Sequence, residues 1–194
     1  MKVLLLTLVL SLVCADLSTT DLSQLSGEWK TIYVAASDLE KTNENGPFRV
    51  FTCAINFDMA NDEIILDVFV KINGQCIPLS VTGKRIKGNV FAINYEGKIL
   101  YEPIYASETS LVAYLINVDE NNEVSKVTVM LSKGNHVNEV DFEKYKELTL
   151  EKNIPEGNIV DLANLDNCPE NENRVFNSQR QLCSGNQTRL LHGT

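Results

Sequence analysis

The sequence predicts an all-β protein in which eight antiparallel strands form an up-and-down β-barrel and one α-helix packs on the outside. Between residues 27 and 133, short segments rich in Val, Ile, Phe, Tyr and Thr recur about every ten residues. Turn-forming Gly, Asn, Asp and Pro residues separate these segments. The segment that follows changes to the three-residue spacing of an amphipathic helix.

The predicted strands are joined by loops of hairpin length. The first strand begins at Trp29, and the others read FRVFTCAINF, EIILDVFVKI, CIPLSVTGKRI, NVFAINYEG, ILYEPIYAS, SLVAYLINV and VSKVTVMLS. Short loops make consecutive strands antiparallel, and an up-and-down meander removes its exposed edges by closing on itself. A barrel of eight strands is wide enough to hold one small ligand.

The helix is predicted in the segment NEVDFEKYKELTLEKN. Phe142, Tyr145 and Leu148 recur at every third position with charged residues between them. Asn138 is a suitable N-cap, because its side chain can accept a hydrogen bond from the first turn of the helix. The apolar stripe needs a partner surface, so we expect the helix to cover part of the outer face of the barrel.

The two ends of the chain differ from this middle part. Residues 1–15, MKVLLLTLVLSLVCA, show one basic residue, an unbroken apolar run and small or apolar residues near the end, the pattern of a secretory signal peptide. We expect residues 16–170 to form the barrel domain and residues 171–194 to be a flexible extension with a glycosylation sequon at Asn186. Since no later run approaches the roughly 20 apolar residues of a membrane span, a secreted protein without membrane insertion is predicted.

Charge and cysteine content narrow the function classes. Without the signal peptide, 16 basic residues face 26 acidic ones, a net charge of −10 that would repel nucleic acid. With only two histidines and no Cys-x-x-Cys pair, the sequence predicts neither a metal site nor a cofactor. The cysteines outside the signal peptide allow three full pairings, among which spacing does not choose. They are Cys53, Cys76, Cys168 and Cys183.

An ordered set of motifs carries a family resemblance. It consists of LSGEWKTIYVAASDLEK with Gly27 and Trp29, then ENGPFRVF, YEG, INVDENN, SKGN, DFEKYKELT and NIPEGNIVDL followed by CPE. Over about residues 22–170 the chain resembles a lipocalin of the odorant-binding protein and aphrodisin group. The resemblance implies a secreted carrier of a small hydrophobic ligand, an odorant or a pheromone. It also implies that Trp29 packs beneath the cavity near the closed end of the barrel.

The resemblance further implies a disulfide between Cys76 and Cys168. Cys53 and Cys183 have no counterpart in the family, so it stays open whether they remain thiols, pair with each other or bridge two molecules. A homodimer and a receptor partner also stay open.

The cavity wall is predicted from the alternation of side chains along each strand. In PFRVFTCAI, the set that contains Arg49 would place a charge inside an apolar container, which favours the other set. That inward set is Phe48, Val50 and Thr52. Phe51 and Ile55 are then expected to face outward, where the helix can cover them. The same alternation, guided by the family pattern, adds Val34, Leu66, Val68, Ile93, Tyr95, Ile99, Tyr101, Ala113, Leu115, Val129 and Leu131.

Few polar groups are expected in this wall. Tyr95, Tyr101 and Thr52 are the candidate hydrogen-bonding groups. Related odorant-binding proteins often carry asparagine where this chain has Leu115, so we expect little selectivity for a hydrogen-bonding ligand. The structural alternative is a solid core in which these side chains interdigitate without a void.

Two other functions are weighed against the carrier. One lipocalin branch is an isomerase that uses a cysteine pointing into the cavity, but strand alternation places Cys53 on the outside with Arg49 and Phe51. The second alternative function is that the protein itself is the signal and that a receptor recognises its surface. We expect the chain not to be an enzyme.

Overall fold

A computed structural model describes residues 21–165 and 168. Its main feature is a ten-stranded sheet in which every paired neighbour is antiparallel, in the order β1-β3-β4-β5-β6-β7-β8-β9-β2-β10. The strands are β1 Gly27–Glu28, β2 Lys30–Ala36, β3 Val50–Asp58, β4 Glu63–Ile72, β5 Gln75–Lys87, β6 Val90–Asn94, β7 Lys98–Ala106, β8 Ser110–Val118, β9 Val124–Ser132 and β10 Ile159–Asp161. The α-helix, α1, spans Glu139–Glu151, and short 3-10 helices span Leu22–Leu25, Leu39–Lys41 and Glu156–Asn158.

The predicted fold class is confirmed, with a small difference in the strands. The expected first strand is observed as β2, which begins directly after Trp29. The two-residue β1 precedes Trp29, and the short β10 adds a partner to β2. Because β1 pairs with β3 while β2 pairs with β9, the chain around Trp29 joins the first strand of the order to the next-to-last one, and the sheet closes on itself. The backbone N–H of Trp29 donates to the carbonyl of Cys53 at 3.0 Å, which fastens this seam.

Trp29 lies within a buried cluster at the start of β2. Its indole Nε1–H donates to the carbonyl of Leu25 at 2.8 Å, so its polar group is satisfied without water. Leu22 and Leu25 of the preceding 3-10 helix belong to the same buried cluster. The turn into this position needs Gly27, whose φ of +141° is accessible to glycine at little cost. One end of the barrel is therefore filled by apolar side chains.

The helix covers the outer face of the sheet, as predicted. Asn138 is its N-cap and accepts a hydrogen bond from the backbone N–H of Asp141 at 2.8 Å. Tyr145 and Leu148 pack against Val112 of β8 and Met130 of β9. These outward side chains are buried only because the helix lies over them.

The expectation that the helix covers Phe51 and Ile55 is wrong. Phe51 does face outward, but into the groove that it shares with Phe69 and Cys168, whereas Ile55 lines the cavity. The cluster beneath the helix contains neither of them. For Ile55 the reason lies in β3, where the register with β4 shifts between Thr52 and Ala54. Such a bulge changes which residues face inward beyond it, so simple alternation fails for the second half of the strand.

A disulfide joins Cys76 to Cys168, which are 92 residues apart, with their Cα atoms 5.6 Å from each other. This is the pairing that the family resemblance implies. The cross-link ties the start of β5 to the segment that follows β10. In the chain-entropy account, closing a loop of that length stabilises the folded state by about 4 to 5 kcal/mol.

Several predictions fall outside the residues that the structure describes. They are the signal peptide at 1–15, the extension at 171–194, Cys183 and the sequon at Asn186. Within the described residues, no helix combines the length and the apolar character needed to cross a bilayer.

Candidate functional site

The barrel encloses a cavity of about 80 Å³. Each of the strands β2 to β9 contributes at least one side chain to its wall, and none of these side chains is charged. The wall consists of Thr31, Phe48, Val50, Thr52, Ile55, Leu66, Val68, Val81, Ile93, Tyr95, Ile99, Tyr101, Leu115, Val129 and Leu131. The sheet therefore surrounds a small apolar void rather than a solid core.

Every residue expected in the wall lies there except Val34 and Ala113. Both are fully buried members of the same interior cluster. They flank Val129 on the two neighbouring strands, since Val34 pairs with Val129 across β2–β9 and Ala113 pairs with it across β8–β9. Their side chains fill space beside Val129, and Val129 forms the wall at this level.

Three wall residues were missed: Thr31, Ile55 and Val81. Register shifts between Thr31 and Tyr33, and between Thr52 and Ala54, turn Thr31 and Ile55 inward against simple alternation. Val81 lies on β5 directly opposite Leu66 of β4. The apolar character of Val81 within an alternating strand could have indicated that it faces inward. The sequence did not determine the register that places it beside Leu66.

Four wall residues carry a hydroxyl group: Thr31, Thr52, Tyr95 and Tyr101. The two threonines bind each other across the seam, because the hydroxyl of Thr31 donates to the Oγ1 of Thr52 at 3.0 Å. The backbone N–H of Thr52 also donates to the Oγ1 of Thr31 at 3.0 Å. This pair links β2 to β3 where the sheet closes.

Tyr95 is anchored at the opposite end of the barrel from Trp29. Its hydroxyl donates to the carbonyl of Pro47 at 2.8 Å, and its ring meets that of Phe48 edge to face, with centroids 6.2 Å apart. Burial, with a smaller contribution from the Glu96 carboxylate, raises the pKa of Tyr95 to about 12. Tyr95 is therefore a neutral donor that holds the β2–β3 loop over the cavity.

A salt bridge fixes the same loop on another side. The ammonium group of Lys41 lies 2.9 Å from a carboxylate oxygen of Asp119, in the turn between β8 and β9. Both side chains are mostly shielded from water, with exposures of 14% and 16%. The loop is thus tied both to the β6–β7 turn and to the β8–β9 turn.

Tyr101 differs from the other three hydroxyl residues. It lies on β7, is 4% exposed, and its hydroxyl oxygen has no hydrogen-bond partner among the described residues. Burial raises the pKa of Tyr101, so this hydroxyl keeps its proton. It pairs across the sheet with Phe91 on one side and Leu115 on the other, both apolar.

The comparisons with known proteins agree with this architecture. Residues 26–166 match the lipocalin / cytosolic fatty-acid binding protein family. The chain belongs to this family. The match covers the strands, the helix and the whole cavity wall.

Individual relatives of this lipocalin are similar over most of their length. Odorant-binding protein 1b of Mus musculus is 36% identical over 170 residues, which are 87% of this chain and 98% of the relative. The crystal structure of a dog lipocalin allergen is 38% identical with a TM-score of 0.74, and the alignment covers 76% of this chain and 99% of the allergen. A bovine odorant-binding protein in complex with undecanal is 32% identical with a TM-score of 0.56, over 74% of this chain and 92% of that protein.

A second and larger space lies along the seam of this lipocalin, where β2 meets β3. It is a groove of about 780 Å³ that includes Cys53, Phe51 and Cys168, with polar side chains such as Lys30 and His136. Cys53 lines this groove and is not part of the cavity wall. Within residues 21–165 and 168, no three His, Cys, Asp or Glu side chains are grouped as metal ligands.

Proposed function

We propose that this lipocalin is a secreted carrier that binds one small hydrophobic molecule of the odorant or pheromone type in its barrel. The observation that carries the proposal is the cavity inside the barrel, because its wall is uncharged and almost wholly apolar. A void with so few polar partners in its wall is a poor site for water and a favourable one for an organic guest. The undecanal complex of the bovine relative supports the same class of ligand.

The expected affinity suits a protein that both takes up and releases its cargo. A guest that buries about 300 Å² of apolar surface gains on the order of 7 kcal/mol from leaving water. Association and ordering costs reduce this gain, which leaves a dissociation constant of about micromolar. Secretion is supported by the predicted signal peptide at residues 1–15.

The cavity must widen when a guest binds. Its volume of about 80 Å³ is smaller than the roughly 150 Å³ of an engineered apolar cavity that holds benzene. The wall contains aliphatic side chains from seven strands, and rotamer changes of these side chains create room without breaking the sheet.

A fluorescence titration tests the carrier function. The wild-type protein is titrated with N-phenyl-1-naphthylamine, beside the variants Val50→Trp and Val124→Trp. Val50 is a wall residue, and its replacement fills the cavity, so the probe affinity should fall more than about 10-fold. Val124 is 64% exposed at the start of β9, so its replacement should leave the affinity unchanged.

Circular dichroism of both variants controls for folding. Equal probe binding by wild type and a folded Val50→Trp protein would show that the probe does not use the cavity and would overturn the proposal. As a separate experiment, extraction of the protein from its native source, followed by mass spectrometry, would identify the natural cargo.

A further inference from the structure

The hydroxyl groups of the cavity wall are not equivalent. Those of Thr31 and Thr52 bind each other, and that of Tyr95 binds the carbonyl of Pro47. The hydroxyl of Tyr101 is buried and has no partner among the described residues. A buried hydroxyl without a partner loses its hydrogen bonds to water and gains nothing in return, which destabilises the folded protein. A retained group of this kind needs an explanation.

We propose that Tyr101 is the polar anchor of the ligand and that it donates its O–H to a neutral oxygen acceptor on an otherwise apolar guest. The ligand class is then that of ketones, aldehydes and esters rather than plain hydrocarbons. This inference rests on the carrier function proposed above and specifies the chemistry of the same cavity.

Charged ligand heads do not fit this anchor. A carboxylate in the cavity would need a cation to offset its desolvation, and none of the wall residues is charged. A neutral carbonyl needs one donor, which is what a phenol supplies. The wall thus favours a ligand with one accepting oxygen and no net charge.

The residues that pair with Tyr101 on the two neighbouring strands cannot form a hydrogen bond with it through their side chains. Leu115 on β8 and Phe91 on β6 lie directly opposite it and offer no polar side-chain atom. The sequence-based expectation of little selectivity rested on Leu115, although Tyr101 was among the candidate hydrogen-bonding groups. The two residues are paired across β7 and β8, so Tyr101 offers a donor next to the position where Leu115 offers none.

The hydroxyl becomes available when the cavity widens. In the structure its oxygen is buried, and the anchor requires a guest that displaces the atoms covering it as the wall side chains move apart. The anchored guest then satisfies a donor that the folded chain leaves unpaired. A hydrogen bond of this type raises affinity about 5-fold to 10-fold.

Two guests of matched shape test the anchor. 2-Octanone carries the accepting oxygen, and 2-methyl-1-octene replaces its C=O group by C=CH2. Each is used to displace N-phenyl-1-naphthylamine from wild type, Tyr101→Phe and Tyr95→Phe. Tyr101→Phe should weaken the ketone about 5-fold to 10-fold and leave the alkene unchanged. Tyr95→Phe makes the same chemical change where the hydroxyl is already bound to Pro47, so it should not alter the ratio of the two affinities.

The infrared spectrum of bound 2-octanone gives a second readout that does not depend on affinity or on the stability of a variant. In wild-type protein the carbonyl stretch should lie at the lower frequency of a hydrogen-bonded ketone, and in Tyr101→Phe at the frequency of a free one. A free carbonyl frequency in the wild-type complex would overturn the assignment.

The outcomes separate this inference from the function on which it rests. If the ratio of the affinities for 2-octanone and 2-methyl-1-octene is unchanged in Tyr101→Phe, the role of Tyr101 as anchor is overturned and the carrier function stands. Uptake of the probe without displacement by either guest shows that the ligand class is wrong. Failure of the wild-type protein to bind the probe and both guests overturns the carrier function, and the anchor with it.

Discussion

Tyr101 and Tyr145 are both buried tyrosines, but they lie on opposite faces of the sheet and have different surroundings. Tyr145 on the helix is 0% exposed, and its hydroxyl donates to the carbonyl of Thr128 at 3.2 Å. Tyr101 on β7 is 4% exposed and has no such partner among the described residues. Burial raises the pKa of both residues, so both hydroxyls stay protonated. The comparison separates a polar group used for stability from one left for a ligand.

The same contrast holds for the two faces as a whole. Beneath the helix, the side chains of Val112, Met130 and Tyr145 form a filled cluster. Inside the barrel, apolar side chains of similar size leave a void. A close-packed interface supplies stability, whereas an underfilled interior gives up part of that stability and gains room for a guest.

The largest expected difference between the two faces is in the stability lost on substitution by alanine. It concerns Met130 and Leu131, which are neighbours on β9. Met130 packs under the helix and Leu131 lines the cavity. Met130→Ala should lower the free energy of unfolding by about 3 kcal/mol, because it opens a hole in a filled cluster. Leu131→Ala should cost about 2 kcal/mol or less, because its side chain already lacks neighbours on the cavity side.

Urea denaturation followed by the fluorescence of Trp29, the sole tryptophan in the sequence, measures both values. The two variants should also differ in ligand binding: Leu131→Ala enlarges the cavity and should bind a bulky probe more tightly, while Met130→Ala should not. Equal losses of stability with equal probe binding would remove the distinction between the faces.

The next largest expected effect on stability concerns Asp141, a buried carboxylate at the start of the helix. It accepts hydrogen bonds from Tyr105 at 2.6 Å, from Ser107 at 2.8 Å and from Asn138 at 2.8 Å. Burial acts to raise the pKa of Asp141, but these hydrogen bonds outweigh it and hold the pKa below its ordinary value. Asp141→Asn should lower stability by about 2 kcal/mol at neutral pH.

The sign of the pH dependence follows from the lowered pKa. The stabilisation is fully present above the unfolded pKa of about 3.9, and it is lost as the pH falls through the lower pKa of the folded protein. The stability difference between wild type and Asp141→Asn should therefore be constant near neutrality and shrink in acid. A difference that grows as the pH falls would contradict this assignment.

The smallest expected effects on stability come from removing the hydroxyl groups of Tyr145 and Tyr101. Tyr145→Phe should lower stability by about 1 kcal/mol, because it removes a satisfied hydrogen bond. Tyr101→Phe should leave stability unchanged or raise it slightly, because it removes a buried group without a partner. Thermal unfolding of the unliganded proteins distinguishes them, and a larger loss for Tyr101→Phe would show that its hydroxyl is structural.

Much of the fold and of the cavity could be predicted from short-range patterns. Alternation identified Val50, Leu66 and Val129 as wall residues because a regular strand turns every second side chain to the same face. It failed at Thr31 and Ile55, where bulges change the phase. A bulge has no fixed sequence signature, so one extra residue in β3 sufficed to turn Ile55 from the outside to the inside.

The sequence by itself determined the number of main strands, their antiparallel order, the helix with its Asn138 cap and the apolar character of the interior. These features depend on residues close together along the chain. Tertiary structure alone decided that Tyr145 finds a partner while Tyr101 does not, and that Val34 packs beside the cavity rather than in its wall. Such outcomes depend on which atoms of distant strands meet, and that is set only when the barrel closes and its register is complete.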